Sequence, residues 1–259
     1  CILKGFGSKV TLCYRGELFL RGFDHDVREF LAQQMRDLGI ELLFKNDVKE
    51  IQKDSNGKLN VSLMDGTARE GIDKVMYATG RVPNIHRLGL ENVGVRLGSK
   101  NEVLVDDYYQ TNIPSIFAVG DVINRKALTP VALNEGHAFA DTQFGNKPRT
   151  INYANIPTAV FSQPPIGTCG LTEEEAEKHY GKENIDIYKT SFKPLKHTLT
   201  DSTERVFMKL IVERSTDKVV GCHIIEHSAG ETIQMVGVAM KAGATKAHFD
   251  QTIGVHPTS

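Results

Sequence analysis

A strand, a helix and a second strand follow one another within the first 44 residues, and this order constrains the fold more than any other feature. Val10 to Cys13 predicts a short buried strand. Asp24 is a candidate N-cap for a helix that ends at Gly39, and Ile40–Phe44 predicts the second strand. The apolar face of the helix consists of Val27, Phe30, Leu31, Met35 and Leu38. Two strands joined through a helix predict the parallel sheet of an α/β fold.

The middle of the chain predicts shorter strands and one long helix. Residues 48–66 alternate apolar runs with turn sequences, which predicts an antiparallel meander. Lys74–Thr79 and Ile116–Val119 predict two further buried strands, each running into a glycine. Pro130 predicts the start of a helix through Phe144, because the first turn of a helix does not need the N–H that proline lacks.

Beyond residue 150 the pattern becomes α+β. Thr172 with Glu175, and Ser228 with the glutamate three residues later, predict capping boxes at two helix starts. Between them, Arg205–Glu213 and Val219–Ile225 alternate as strands joined by a polar turn. The helix predicted at 228–243 offers one side for close packing at a subunit interface, formed by Ile233, Val236, Gly237 and Met240. We expect three regions, at 1–80, 81–150 and 151–259.

Charge and cysteine content narrow the class of protein. A formal charge of −1 provides no basic field for nucleic acid or anionic membranes, and no apolar run is long enough to span a bilayer. The four cysteines, Cys1, Cys13, Cys169 and Cys222, lie far apart in sequence, which favours a reducing, cytoplasmic location over a disulfide scaffold or a zinc site. The first residue is not Met and the end at Ser259 has no polar tail, so we expect a segment of a longer protein.

Two arginines follow the first strand. In doubly wound sheets, ligands bind at the carboxyl ends of the strands, where an acid favours NAD and an arginine accommodates a 2′-phosphate. Arg15 and Arg21 could together clamp such a phosphate through their planar guanidinium groups. From spacing alone, two solvated arginines near a helix start are an equally open interpretation.

The sequence Gly120-Asp121 also follows a predicted strand. Glycine allows a ligand to approach the backbone, and the carboxylate could accept hydrogen bonds from sugar hydroxyls. The same aspartate could instead cap the next turn. The helix that begins near Thr129 offers free N–H groups and a positive dipole end to an anionic ligand. His256-Pro257 is a third candidate, although a lone histidine is usually a surface or core residue.

Six stretches, in order over the whole chain, resemble the pyridine nucleotide-disulfide oxidoreductase family. They are the Arg15 and Arg21 pair, Tyr77–Asn84, Thr111–Asp121, Leu128–Ala132, Pro164–Thr168 and His256–Thr258. The resemblance implies an α/β fold in which 1–80 is the later part of a doubly wound NADPH domain. It implies that 81–150 completes an FAD site and that 151–259 is an α+β dimerisation domain of a homodimer.

The resemblance also implies roles for individual residues. Arg15 and Arg21 would hold the 2′-phosphate of NADPH, whose nicotinamide path Gly80, Ala127 and Ala159 would line. Asp121 would bind the flavin ribityl chain, and Thr129 would meet the flavin pyrimidine ring. His137 stands where some members carry a substrate-contacting arginine. His256 would act across the dimer interface as the acid that protonates a departing glutathione thiolate.

The implied activity is NADPH-dependent reduction of glutathione disulfide. The family's Cys-x4-Cys pair and its Gly-rich fingerprints are absent from 1–259, and we expect them before Cys1. None of the four cysteines has a partner at the needed spacing, so we expect buried or incidental thiols. Two alternatives stay open: a family member acting on another disulfide or a metal ion, and a non-catalytic dimerisation or cofactor-contact fragment. Dihydrolipoamide dehydrogenases generally carry an acid where Tyr14-Arg15 stands, which counts against that branch.

Overall fold

The structure is a computed structural model that describes residues 1–259. It contains two compact units, of which one combines residues 1–75 with 154–259 and the other comprises residues 76–153. The first and last parts of the chain therefore share one unit. The assignment of separate functions to 1–80, 81–150 and 151–259 stays a prediction.

The first 44 residues form the strand–helix–strand unit that the sequence predicts. The elements are α1 (Ile2–Gly5), β1 (Thr11–Tyr14), α2 (His25–Asp37) and β2 (Glu41–Phe44). The strands β1 and β2 pair in parallel, with Thr11 opposite Glu41. Asp24 caps α2, since its carboxylate accepts a hydrogen bond of 3.1 Å from the Asp26 amide. This part of the α/β prediction is confirmed.

The predicted apolar face of α2 supplies much of the core of the first unit. Val27, Leu31 and Met35 are buried, whereas Phe30 is half-buried and Leu38 is 43% exposed. Phe19 and Ile40, which flank the helix in sequence, belong to the same cluster. Three residues of the C-terminal half complete it, namely Ile166, Phe207 and Ile225. The helix is thus packed between the parallel strands and the C-terminal half of the chain.

The predicted meander is also confirmed. The strands β3 (Val48–Lys53), β4 (Leu59–Leu63) and β5 (Ala68–Ile72) form a three-stranded antiparallel sheet in sequential order. In the first turn, the Asp54 carboxylate accepts hydrogen bonds from the amides of Asn56 and Lys58. Gly57 closes that turn with a φ of 82°, which L-residues rarely adopt.

In the second unit, the long helix is confirmed but the two predicted strands are wrong. The helix α3 spans Thr129–Phe144, with Pro130 in its first turn. Residues 74–79 belong to no strand, and Met76 is 75% exposed. Ile116–Val119 makes only an isolated bridge between Gln110 and Phe117. An apolar run becomes a strand only when a neighbouring strand pairs with its backbone, and here no strand lies beside either segment.

The C-terminal half is an antiparallel sheet with three helices. Its elements are β6 (Thr158–Val160), β7 (Ile166–Gly170), α4 (Glu173–Tyr180), β8 (Ile185–Phe192), β9 (Val206–Glu213), β10 (Lys218–Ile225), α5 (Ala229–Lys241) and α6 (Lys246–Gln251). The strand order is β6-β7-β10-β9-β8. The predicted β9–β10 hairpin is confirmed, as is the capping box in which Thr172 and Glu175 exchange hydrogen bonds.

The start of α5 lies where the sequence predicts it, but the predicted capping box is absent. Ser228 makes no side-chain capping hydrogen bond. Its ψ of 23° departs from the extended backbone of most N-cap residues, so its hydroxyl does not face the amide three residues on. A capping box that the sequence analysis missed joins Thr245 and His248 at the start of α6.

The side of α5 that was predicted to serve a subunit interface packs inside the chain instead. Ile233, Gly237 and Met240 are buried, and α5 lies on β6, β7 and β10. A Cβ atom added to Gly237 would stand 2.3 Å from Pro157 Cγ, and one added to Gly167 would stand 2.4 Å from a backbone oxygen of α5. The large apolar side chains that α5 exposes are Met235 and Val238.

A buried cation joins the two sequence-distant halves of the first unit. Lys209 of β9 is 1% exposed, and its Nζ lies 2.9 Å from Asp24, 2.7 Å from Asp26 and 2.6 Å from Glu173. Burial alone would lower the pKa of Lys209, but its hydrogen bonds to the three carboxylates outweigh that effect and raise the pKa. The ammonium group therefore stays charged. The second oxygen of Asp24 also accepts the Glu173 amide at 3.0 Å.

Replacing Lys209 with Met should strongly destabilise the first unit. The substitution leaves the buried Asp24 carboxylate without its cation, and orphaning one partner of a buried pair costs about 3–5 kcal/mol. Lys189 is a matched control, because it contacts Asp26 at 3.2 Å from an exposed position. Lys189→Met should cost under about 1 kcal/mol. Urea unfolding measures both, and equal losses would contradict the role given to Lys209.

His223 of β10 is a second buried polar group in the same region. It is 1% exposed, its Nε2 lies 2.9 Å from the Leu171 carbonyl oxygen, and its Nδ1 lies 2.6 Å from the Thr168 hydroxyl oxygen. The carbonyl can only accept, so Nε2 carries the proton and Nδ1 accepts from the hydroxyl. Burial, with a smaller contribution from Lys209, lowers the pKa of His223.

The lowered pKa of His223 predicts a loss of stability in mild acid. Below the ordinary histidine pKa of about 6.5 the unfolded chain takes up a proton that the folded chain refuses, so unfolding becomes easier as pH falls. His223→Gln should flatten the dependence of the unfolding free energy on pH between about pH 7 and pH 5. The exposed His86 is the control, and His86→Gln should leave that dependence unchanged. Identical pH profiles for wild type and His223→Gln would refute the assignment.

Candidate functional site

The loop after β1 carries both predicted phosphate-binding arginines on one unit. Arg15 directly follows the strand, and Arg21 lies three residues before the N-cap of α2. Both are exposed, and neither makes a side-chain hydrogen bond or an ion pair. Two unpaired guanidinium groups in one short loop provide donors for an anion without first breaking a salt bridge.

A third arginine, which the sequence analysis missed, holds this loop. The Arg28 side chain of α2 donates to the carbonyl oxygens of Leu18 and Phe19, at 2.6 and 2.7 Å. Phe19 is buried in the core, and the next residue, Leu20, has a φ of 55°. These contacts fix the backbone between Arg15 and Arg21. Nothing in the sequence distinguishes Arg28 from a solvated helix residue, because its partners are backbone groups.

The second unit carries the predicted flavin-binding residues. Asp121 lies in a 3-10 helix, Gly120–Ile123, and its carboxylate is exposed, 3.9 Å from Arg81. Gly120 has a φ of 76°, and a Cβ atom there would lie 3.2 Å from Ala132 of α3. Gly80, which precedes Arg81, has a φ of 122° and open space around it. The structure therefore brings the Gly80-Arg81 segment close to Asp121.

The start of α3 is open. Thr129 is its first residue and is exposed, and the preceding Leu128 provides no side-chain cap. The positive end of the helix dipole is therefore unoccupied by a side chain, as an anion-binding helix start requires. Ala127 is exposed in the loop before α3, and His137 is exposed two turns into the helix without a partner.

A buried glutamate links the turn that carries Asp121 to the helix α3. Glu135 of α3 is 1% exposed and accepts hydrogen bonds from the Gly120 amide at 2.5 Å and the Tyr153 hydroxyl at 2.7 Å. Burial raises the pKa of Tyr153. The hydrogen bond with Arg125 opposes this effect, and the hydrogen bond to Glu135 adds to it. A charged residue on the buried face between Val131 and Ala138 was the sequence signal that could have identified Glu135.

Glu135→Ala should loosen the turn that carries Asp121. The change leaves the buried Gly120 amide and the half-buried Tyr153 hydroxyl without their acceptor, and an unpaired buried donor costs about 1–3 kcal/mol. Hydrogen exchange of the Gly120 amide should accelerate by roughly tenfold or more. The neighbouring Asn134 hydrogen-bonds only the Pro130 carbonyl from an exposed position, so Asn134→Ala should not change that rate. Unchanged exchange at Gly120 in Glu135→Ala would show that the glutamate does not hold the turn.

The two remaining predicted residues lie on the first unit. Ala159 is half-buried in β6 opposite Gly167. His256 lies in an exposed tail that follows α6, and the Thr258 hydroxyl donates to the Val255 carbonyl there at 2.6 Å. The imidazole of His256 has no partner within the chain. Ile253 and Val255 are also largely exposed in this tail.

An open concavity on the first unit does not contain the predicted residues. It has a volume of about 720 Å³ and is open to solvent. Its lining includes Glu17, His25, Glu29, Arg36, Lys45 and Phe207, but neither Arg15 nor Arg21. The candidate site consists of loop and helix ends, so the shape of this chain alone does not reveal it.

Two domain families match the chain. Residues 1–136 match the family described as pyridine nucleotide-disulphide oxidoreductase, and residues 156–259 match the dimerisation domain of the same group. This chain belongs to the pyridine nucleotide-disulphide oxidoreductase family. The α/β assignment made from the sequence is thereby confirmed, with a dimerisation domain at the C-terminal end.

Individual relatives agree with this membership. A glutathione reductase of Nostoc sp. is 46% identical over 270 residues, which cover 100% of this chain and 58% of that protein. A glutathione reductase of Burkholderia cepacia is 47% identical, covering 99% and 56%. A trypanothione reductase of Trypanosoma congolense is 44% identical, covering 99% and 52%. The chain thus spans little more than half the length of these relatives.

A solved structure has the same fold. The HOCl-induced flavoprotein disulfide reductase RclA from Escherichia coli matches with a TM-score of 0.87 at 26% identity, covering 99% of this chain and 58% of that one.

None of the helices in this chain combines the length and the hydropathy that crossing a bilayer requires.

Proposed function

We propose that this chain is part of an NADPH-dependent flavoprotein that reduces glutathione disulfide to glutathione in the cytoplasm. The observation that carries the proposal is the pair of unpaired guanidinium groups, Arg15 and Arg21, at the end of β1 in a member of this family. An acid at this position would favour NADH, whereas arginines favour the additional phosphate of NADPH. The glutathione reductases among the relatives support the choice of disulfide.

The residues present fit both cofactors. Arg15 and Arg21 would hold the 2′-phosphate of NADPH, and Gly80, Ala127 and Ala159 would line its nicotinamide path. Asp121 would accept hydrogen bonds from the flavin ribityl chain, and its exposed carboxylate suits that role. The uncapped start of α3 at Thr129 would stabilise negative charge on the flavin pyrimidine ring. When bound, FAD would supply the relay of two electrons between a nicotinamide and a disulfide.

His256 would serve as the acid in the disulfide exchange. In such an exchange a thiolate attacks one sulfur and the other sulfur leaves as a thiolate that needs a proton. A protonated imidazole can give that proton from a ring nitrogen. His256 is exposed and unpartnered within its own chain, which is consistent with work on a neighbouring subunit of a homodimer. His137 would contact the substrate.

A second candidate substrate is trypanothione disulfide. The observation in its favour is that trypanothione reductases are 44% and 46% identical to this chain, against 46% and 47% for glutathione reductases. Comparing kcat/KM for the two disulfides in the complete protein discriminates between them. Preference for glutathione disulfide supports the proposal, and preference for trypanothione disulfide replaces it.

Replacing Arg15 and Arg21 with Gln in the complete protein should raise the KM for NADPH by roughly tenfold or more, because each charge-assisted hydrogen bond is worth about 1.5–3 kcal/mol. The KM for NADH should hardly change, since NADH lacks the phosphate. Arg96→Gln is the control, as Arg96 is an exposed arginine in the other unit. Equal effects on both nucleotides would contradict a phosphate clamp.

Light scattering that detects only monomer for the complete protein would contradict the role of His256 across a dimer interface.

A further inference from the structure

Two cysteines that are distant in sequence face each other in the dimerisation domain. Cys169 of β7 and Cys222 of β10 are direct partners in the antiparallel register of these strands. Side chains of directly opposed residues project from the same side of a sheet. Both thiols belong to one buried cluster with Ile233 and Met240 of α5. Both are free thiols, and Cys169 lies near enough to Cys222 to contribute to the raised pKa of that thiol.

The backbone geometry of this pair is compatible with a disulfide bond. The Leu171 amide donates to the Val220 carbonyl oxygen at 2.9 Å, two residues along each strand from the cysteines. Hydrogen-bonded pairs alternate along an antiparallel ladder, so Cys169 and Cys222 also form a hydrogen-bonded pair, with Cα atoms about 5.5 Å apart. Disulfides span roughly 4.4–6.8 Å between Cα atoms. No change of register is needed to join the two sulfurs.

The surroundings of the two cysteines prevent either thiol from acting as a nucleophile while α5 covers them. Cys169 and Cys222 are 1% and 3% exposed. Burial raises the pKa of Cys169 to about 11 and that of Cys222 to about 12, the latter with a contribution from Cys169 itself. The Cys169 thiol donates to the Asn155 carbonyl oxygen at 3.3 Å. Both groups therefore stay protonated and shielded while α5 covers them.

We propose that Cys169 and Cys222 are a redox modification site that forms a reversible intrachain disulfide with hydrogen peroxide as the oxidant. Peroxide is small and neutral, so it can reach sulfurs beneath α5 during a local opening that a bulky disulfide could not exploit. This site is separate from the chemistry proposed for His256 and does not depend on it.

The chemistry requires no other reactant. Once a local opening exposes it, the Cys169 thiol loses its proton to water and the thiolate attacks one oxygen of the peroxide. The O–O bond breaks, Cys169 becomes a sulfenic acid, and the departing hydroxide takes up the proton as one water. The Cys222 sulfur then attacks the Cys169 sulfur, the S–O bond breaks, and the hydroxyl leaves with the Cys222 proton as a second water. Two thiols are oxidised to one disulfide and one peroxide is reduced to two waters.

The crosslink should be easily reduced. Facing side chains in a sheet have Cβ atoms about 4.5–5.5 Å apart, and a disulfide draws them to roughly 3.5–4.5 Å. The strands must therefore approach each other slightly, and strained disulfides have more oxidising potentials. A thiol such as dithiothreitol should restore both cysteines.

Peptide mapping tests the proposal. The reduced, folded protein is treated with hydrogen peroxide, unfolded, alkylated and digested, and thiols are identified by mass spectrometry. We expect one linked peptide pair that contains Cys169 and Cys222, lighter than the sum of its parts by two hydrogen atoms. The two thiols should disappear at the same rate, and dithiothreitol should return both. Cys13, which lies opposite Leu43 rather than a cysteine, should not enter this linkage.

Single variants separate a paired site from independent oxidation. In Cys169→Ala the remaining Cys222 should survive the treatment at least tenfold longer, because Cys169 makes the first attack. In Cys222→Ala, Cys169 should still be oxidised, but to a sulfenic acid and without a linked peptide. Cys13→Ala should leave the linkage unchanged. Recovery of both Cys169 and Cys222 as free thiols from the wild-type protein would overturn the proposal. Equally rapid oxidation of Cys222 in Cys169→Ala would overturn it as well. The wild-type measurement stands even if an alanine variant fails to fold.

Discussion

One ammonium group holds the first unit together. The Nζ of Lys209 on β9 reaches the N-cap of α2 through Asp24 and the first turn of α4 through Glu173. Both helix starts attract negative charge, so the carboxylates stabilise the helix dipoles while the lysine neutralises the carboxylates. Because this arrangement is buried, it resists both salt and solvent. Together with the apolar cluster around α2, this contact joins residues 1–75 and 154–259 in one unit although 78 residues separate them.

Local features could be predicted from the sequence, because each depends on residues close together in the chain. The cap at Asp24, the box at Thr172 and the parallel pair around α2 are of this kind. The strands predicted at 74–79 and 116–119 failed for the opposite reason. Apolar composition indicates that a segment avoids water, whereas a strand also requires a partner backbone, and the sequence of the segment contains no information about that partner.

The same distinction applies to the candidate site, where some residues could be predicted from the sequence and others could not. Arg15 and Asp121 could be found because strand ends and Gly-Asp turns mark them, although their roles stay predictions. Arg28 could not, since it acts on backbone carbonyl groups that the fold alone brings near. Glu135 did have a sequence signal, a charge on the buried face of α3, which the sequence analysis missed. The sequence could not predict that Cys169 and Cys222 lie opposite each other, for a related reason. Their sequence separation says nothing about the register of β7 with β10.

The two glycines at the contact between α5 and the residues it covers, Gly237 in the helix and Gly167 in β7, have a consequence for how this domain can change over time. At Gly167 and Gly237 the backbone has an ordinary negative φ, so neither position needs the freedom of glycine. What each provides is clearance, since even a methyl group would overlap the opposing helix or Pro157. Mutational drift at these positions is therefore limited by contact distance, and any larger residue would have to lift the helix off the sheet and uncover the sulfurs below.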